Sequence, residues 1–250
     1  MPYGICPLSL IAVRMTADDS SQMITQLLYG DSFRILESRK HWSKIRLSGE
    51  KTEGWIKNDQ FKTLSDTDQK LLSASNAKKY AVDLVAFTKT EQGVLIPILL
   101  GSNISHTNIM SHDFEGMASK AEQDKKNLIS TALLYLNAPE LNGGKSPFGI
   151  DNAGFTLMVY KLNGIQLMRT AEEQASQGEP LSFIEESEAG DLAFFDDRDG
   201  VINHVGLIMP DNYIIHVDGK VRIDRLDHTG IFNREKRNYT HQLRVIKKIL

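Results

Sequence analysis

The stretch Ser146-Pro147-Phe148-Gly149-Ile150-Asp151-Asn152-Ala153-Gly154-Phe155 decides how the chain is read. It leads from a glycine-rich segment into a helix. From Gly154 to Asn163 the apolar residues Phe155, Met158, Val159 and Leu162 fall at i, i+3, i+4 and i+7, one face of a helix. Asp151 or Asn152 can cap the free backbone N–H groups of its first turn, and Gly164 suits its end. Upstream, Gln123 to Asn137 places Leu128, Ile129, Ala132, Leu133 and Leu136 on one stripe and predicts another helix, ended by Pro139. Downstream, strands are predicted over Asp191 to Phe195, Ile202 to Met209, Tyr213 to Val217 and Val221 to Ile223. Asp199-Gly200 and Asp211-Asn212 are hairpin turns between them. Helices followed by an antiparallel sheet make an α+β layout.

The front of the chain has a different rhythm. Ser9 to Val13, Met23 to Tyr29, Ser32 to Glu37, Trp42 to Leu47 and Gly54 to Ile56 are short apolar or alternating runs separated by turns at Gly30-Asp31 and Gly49. Strands this short and this regularly spaced predict a small β-barrel, because a small sheet must close to hide its edges. Residues 66–75 read as a polar connector. Tyr80 to Phe87 and Gly93 to Ile98 then predict a hairpin, and Gly101 to Lys120 has no clear pattern.

The 250 residues are 41% hydrophobic and 24% charged, enough apolar mass for packed cores. With 29 basic and 32 acidic residues the net charge of −3 gives no pull toward nucleic acid or an anionic membrane surface. There is one cysteine, Cys6, so an intramolecular disulfide and a cysteine-based zinc cluster are excluded. No basic leader with a long apolar run opens the chain, and Val94 to Leu100 is too short to span a bilayer, so a cytoplasmic protein is expected. Three short motifs carry no chemistry. Gly144-Lys145-Ser146 lacks the upstream glycine of a phosphate loop, since Pro139 stands there. Asp196 to Gly200 fails the alternate spacing of a calcium loop. Asn238-Tyr239-Thr240 matters only for glycosylation in secreted eukaryotic proteins.

The helix-opening stretch resembles the nucleophile segment of NlpC-type cell-wall peptidases, which reads Asp-Cys-Ser-Gly-Phe. Gly190 to Phe195 is similar to that family's strand after the helices, His204-Val205-Gly206-Leu207-Ile208 to its base-bearing strand, and Ile214-Ile215-His216 to the strand of its third triad member. This resemblance spans residues 122–250. Gly4-Ile5-Cys6, Val13-Arg14, Gln26 to Gly30 and Gly54-Trp55-Ile56 resemble the bacterial SH3-like domains that precede such catalytic domains. The resemblance implies an SH3-like barrel over 1–65, a connector with a degenerate second barrel over 66–121, and a papain-like α+β domain over 122–250. The whole chain is similar to the γ-D-glutamyl-L-diamino acid dipeptidyl-peptidases, which cut muropeptides after L-Ala-γ-D-Glu.

In that family a cysteine at a helix N-terminus is activated by a histidine base, which a further polar group orients. The pattern puts the nucleophile at position 152, the base at His204 and the orienting group at His216. Residue 152 is Asn, whose amide is a poor nucleophile. Cys6 belongs to the opening strand of the barrel and reads as a small core residue. The departures reach the substrate shell. The family's Tyr-Leu-Trp-Gly-Gly is Glu140-Leu141-Asn142-Gly143-Gly144, and its Ser after the nucleophile is Ala153. Its Glu and Tyr that help hold a substrate amino terminus are Gln22 and Thr52, leaving Asp151 alone. Val217-Asp218 replaces the usual Ala-Ser. The expected site is therefore a cleft between the first barrel and the C-terminal domain, with Asn152, His204 and His216 at the catalytic positions. Asp151, Gln22, Thr52, Asn142, Ala153 and Asp218 stand at the substrate-binding positions. No cofactor or metal is expected; two histidines with Asp218 make only a thin metal signal. The basic residues Arg234, Lys236, Arg237, Arg244, Lys247 and Lys248 read as a solvated face. The expected function is that of a catalytically inactive homologue that binds a peptidoglycan-derived peptide or a protein partner. The alternative is a hydrolase using non-cysteine chemistry, with Asp151 or Asp218 beside His204.

Overall fold

The computed structural model describes residues 2–74, 78–119 and 124–250. The chain forms two compact units, residues 1–122 with 142–147, and residues 123–141 with 148–250.

Unit 1 opens with β1 (Tyr3–Ile5), β2 (Leu10–Arg14), β3 (Met23–Leu28), β4 (Ser32–Ser38), β5 (Trp42–Leu47), β6 (Glu53–Lys57) and β7 (Lys62–Thr63). They pair antiparallel in the order β3-β2-β6-β5-β4-β1-β7, an SH3-like barrel sheet. Period-two alternation sends Ile11 and Val13, Phe33 and Ile35, and Ile45 and Leu47 to one face, where they pack with Cys6, Leu27 and Ile56. Gly4 lies flat beneath the Phe33 ring, which leaves no room for a side chain there.

The segment expected to be a polar connector is instead a helix, α1 (Asp66–Ala74). Ser65 and Asp68 bond each other's backbone N–H through their side chains, a capping-box arrangement that starts this helix despite its polar composition. Then come β8 (Tyr80–Ala81), β9 (Val85–Thr90), β10 (Leu95–Leu99), β11 (His112–Glu115) and β12 (Ala118–Ser119). The hairpin pairs β9 with β10, and β11 adds to β9; β12 pairs with β8. Pro97 is accommodated because β10 is an edge strand. Ala81, Ala86, Ile98, Ile109 and Met110 pack with Ile5, Tyr29 and Leu64 of the first sheet's region. The short strand β13 (Lys145–Ser146) also belongs to unit 1. Lys145 is fully buried there, its Nζ 2.5 Å from Glu50 Oε1, and its backbone N–H donates to Gln26 Oε1 at 2.8 Å. Neighbouring Gly143, at φ +79°, leaves room for the Met23 carbonyl.

Unit 2 holds α2 (Asn127–Leu133), β14 (Gly149–Ile150), α3 (Asn152–Leu162), α4 (Ala171–Ala175) and β15 (Glu179–Leu181). It continues with β16 (Leu192–Asp196), β17 (Ile202–Met209), β18 (Tyr213–Asp218), β19 (Lys220–Leu226), β20 (Gly230–Asn233) and β21 (Asn238–Lys248). The helix expected over 123–137 is shorter, and Gln123 lies outside the described residues. After Leu133 the backbone turns by i to i−3 hydrogen bonds at Leu134, Tyr135 and Leu136. The tighter turn rotates the stripe, so Leu128, Ala132 and Tyr135 are buried while Leu133 and Leu136 are exposed. α3 begins at Asn152, with Asp151 as its cap, and is buried from Ala153 to Leu162 against β17 and β18. The sheet order is β15-β21-β16-β17-β18-β19-β20, and β20 also pairs with β21, so six strands close into a ring. Of the basic residues read as a solvated face, Arg244, Lys247 and Lys248 lie on β21, paired to β16 on one side and β20 on the other, and Arg234, Lys236, Arg237, Arg244 and Lys248 are exposed as expected. Ala193, Phe195, Ile208, Ile214, Leu226, Ile231 and Ile246 form the apolar core of this sheet.

Candidate active site

Every feature of the site within unit 2 follows from two local structures, the start of α3 and the inward face of the ring. Asp151 has extended backbone angles, and its Oδ1 accepts the Gly154 N–H at 2.6 Å. Arg169 grips the same carboxylate with both fork nitrogens, at 3.0 Å to Oδ1 and 2.6 Å to Oδ2. Asp151 thus both caps the helix and pairs with a buried guanidinium. Asn152 is the first helical residue, and its Nδ2 donates to the backbone carbonyl of Asn203 on β17 at 3.3 Å. Ala153 is buried, and its carbonyl is held by Gln174 Nε2 at 2.9 Å. Gln174 also accepts from Thr156 Oγ1, fixing the first turn of α3 from below.

On β17 and β18 the register pairs Gly206 with His216. A Cβ at position 206 would lie 2.9 Å from His216 Cβ, so glycine makes room for the ring. His204, two residues from Gly206, shares its face and places Nε2 3.0 Å from His216 Nδ1. His216 Nε2 lies 3.1 Å from Asp224 Oδ2. Arg222 in turn donates to both oxygens of Asp224, at 2.6 and 3.2 Å, and to Glu235. His241, on β21, stacks on His204 with ring centroids 3.9 Å apart, and its Nδ1 lies 2.9 Å from Thr240 Oγ1. Phe195 flanks both rings.

Burial, followed by the nearby rings of His241 and His216, holds the His204 pKa well below that of a free imidazole. Burial, then His216, brings His241 down to about 4. Burial works to raise the Asp224 carboxyl, but the hydrogen bonds from His216 and Arg222 outweigh it, and the group stays below the usual carboxylate range. An ionised carboxylate only accepts, so His216 donates to Asp224 from Nε2. Where Nδ1 of His216 accepts in turn, His204 carries its proton on Nε2 and its Nδ1 lone pair is free. The array Asp224–His216–His204 is thus ordered to present a base.

His204 and His216 are brought together as expected from sequence. Asp218 is not part of their array. It lies at the rim, paired with Lys236 at 3.0 Å, and that contact with other nearby positive charge lowers its pKa against the opposing effect of burial. Among the described residues the third side chain in reach of the two rings is His241, not Asp218. Gln22 and Asn142 are exposed and Thr52 half-buried, and all three belong to unit 1. Sequence reasoning missed Asp224, Arg222, His241 and Arg169. Arg222 and Asp224 were in reach of it, since Arg222 lies within the predicted strand Val221 to Ile223 and Asp224 continues its alternation one residue further.

Residues 141–239 match the NlpC/P60 family, and residues 13–61 match the bacterial dipeptidyl-peptidase SH3 domain. The chain carries an NlpC/P60 domain and a bacterial SH3 domain. It is homologous to gamma-D-glutamyl-L-lysine dipeptidyl-peptidases. One such relative, from Bacillus subtilis (strain 168), is 25% identical over 228 residues, covering 81% of this chain and 77% of the relative. Dipeptidyl-peptidase 6 of Lysinibacillus sphaericus is 34% identical over 133 residues, 51% of this chain and 44% of that protein. The fold matches the crystal structure of an NlpC/P60 family protein from Bacillus cereus ATCC 10987, with a TM-score of 0.79 at 18% identity, over 99% of both chains. In the NlpC/P60 domain of this chain, the helix start that faces β17 bears Asn152, whose side-chain amide donates a hydrogen bond to the Asn203 carbonyl. No described helix is long and apolar enough to cross a membrane.

Proposed function

We propose that this chain is a catalytically inactive homologue of a muropeptide dipeptidyl-peptidase that binds a peptidoglycan-derived peptide or a protein partner. The observation that carries this reading is Asn152 at the N-terminus of α3, beside an otherwise ordered base array. A carboxamide has no acidic proton for His204 to remove near neutral pH, and its oxygen is a weak nucleophile. Cys6 offers no substitute. It is fully buried in the core of the unit 1 sheet, and burial pushes its thiol pKa up, away from the thiolate. Asp151 is neutralised by Arg169, and Gln22 and Thr52 bring no carboxylate or phenol to a substrate amino terminus. A cytoplasmic location belongs to the same proposal, and cell fractionation tests it.

The test is turnover and binding of L-Ala-γ-D-Glu-containing peptides by the purified chain. Saturable binding without dipeptide release is expected. Release that stops on alkylation of the protein overturns the reading. Release that is insensitive to alkylation favours a hydrolase of non-cysteine chemistry, for which the imidazole array would supply the base.

A further inference from the structure

We propose that His204, His216 and His241 form a binding site for a divalent transition-metal ion of the zinc class. This does not depend on whether the chain turns over or binds peptides.

One potential ligand atom from each of the three side chains lies within 4.8 Å of the other two. Zinc–imidazole bonds are about 2.0–2.1 Å, so two nitrogens on one ion stand about 3.0–3.4 Å apart. His204 Nε2 and His216 Nδ1 already stand at 3.0 Å. The three residues come from β17, β18 and β21, three strands of one closed ring, so the backbone holds them in place without an ion.

The groups behind the rings are those a metal site needs. Asp224 accepts a hydrogen bond from His216 Nε2, which leaves Nδ1 facing His204 as the coordinating nitrogen. Thr240 Oγ1 occupies Nδ1 of His241, so coordination by that ring falls to Nε2. Carboxylate and hydroxyl partners of this kind fix tautomer and orientation in metal-binding histidines. Arg222 fixes Asp224 in turn, which makes Asp224 a positioning residue. Three imidazoles without a thiolate favour zinc, nickel, cobalt or copper over magnesium and calcium, which prefer oxygen. To admit the ion, the His204–His216 hydrogen bond opens, the His204 proton moves from Nε2 to Nδ1, and the His241 ring turns out of its stack on His204 so that its Nε2 faces the other two nitrogens. The fourth position is left to water, and the base nitrogen of His204 is then blocked.

The experiment uses the full chain, stripped with chelator and then freed of it. Titration with zinc chloride by calorimetry, and with cobalt(II) by visible absorption, should give one ion per chain and the ligand-field bands of a low-coordinate histidine site. His241→Ala and His216→Ala should each weaken zinc at least tenfold, and Asp224→Asn about tenfold. His228→Ala, an exposed histidine, should bind as the parent does. His241→Gln serves as the milder variant if the alanine form misfolds. Zinc added to the unmodified chain should move the ring resonances of His204, His216 and His241 and leave the other four of its seven histidines in place. Absence of saturation at one equivalent, parent-like affinity of the His241 variants, or movement of the other histidines instead would overturn the proposal.

Discussion

The two seven-stranded antiparallel sheets of this chain obey the same alternation and reach opposite results. In unit 1 the inward positions are mostly apolar, with Ile11, Val13, Phe33, Ile35, Ile45 and Leu47 beside Cys6, and the buried Ser43 on the face of Ile45 and Leu47 donates to Asn58 Oδ1. In unit 2 the inward positions change character along each strand. Ile208 gives way to Gly206 and His204, Ile214 to His216, and Leu226 to Asp224. The first sheet is filled largely by apolar volume. The second carries a run of buried polar groups bonded in series, from Arg222 through Asp224 and His216 to His204, while the buried Asn233 Nδ2 on β20 has no hydrogen-bond partner among the described residues. A core of the first kind tolerates no change of size, and a core of the second kind tolerates no change of hydrogen bonding.

Substitutions can break this contrast. Phe33→Ala in the first sheet should cost about 3–5 kcal/mol in urea denaturation, because the ring fills a closed core over Gly4. A loss below about 1 kcal/mol would mean that this core collapses around the gap. Asp224→Asn keeps the volume of the second sheet and should still cost about 1–3 kcal/mol, since Arg222 and His216 lose their shared charge. A silent Asp224→Asn would show that the series is not what stabilises the ring. Asn152→Cys should change stability by less than about 1 kcal/mol and should not bring efficient dipeptide release, because Asp151 remains held by Arg169. Release at rates close to those of the dipeptidyl-peptidase relatives would show that the Arg169 contact on Asp151 does not bar turnover and that the proposed inactivity rests on residue 152 alone. Asp218→Asn removes a partly exposed ion pair with Lys236 and should cost about 0–1 kcal/mol. The smallest effect is expected at Cys6. Iodoacetamide should leave it unmodified in the native chain at pH 8 and add one group only in urea, as read by mass spectrometry, because burial raises its pKa. Rapid native labelling would show that the first core opens.

The sequence revealed most where one periodicity runs unbroken. α3 was legible from Phe155, Met158, Val159 and Leu162, and its cap from Asp151, because helix spacing and cap chemistry agree there. The pair His204 and His216 was legible through its flanking residues. β21 was hidden for a physical reason. Its pairing skips Arg244 opposite β16 and Thr240 opposite β20, so two bulges break the alternation that marks a strand. The same bulges turn His241 inward. α1 was missed because its stripe is weak and its start rests on Ser65 and Asp68 rather than on apolar spacing. Arg169 lies 18 residues from Asp151, and local spacing does not reveal that the two meet.

The ring of unit 2 closes only when β21 fits between β16 and β20, and that has a consequence for the order of events on the ribosome. Leu192 finds its partner Lys247 far along the chain, so the nascent sheet is an open, curling ribbon while β17 and β18 are already outside the exit tunnel. In that interval His204 and His216 face water, Phe195 lacks its cover, and one edge of β16 is free to pair with another chain. The histidine array is therefore assembled late in biogenesis.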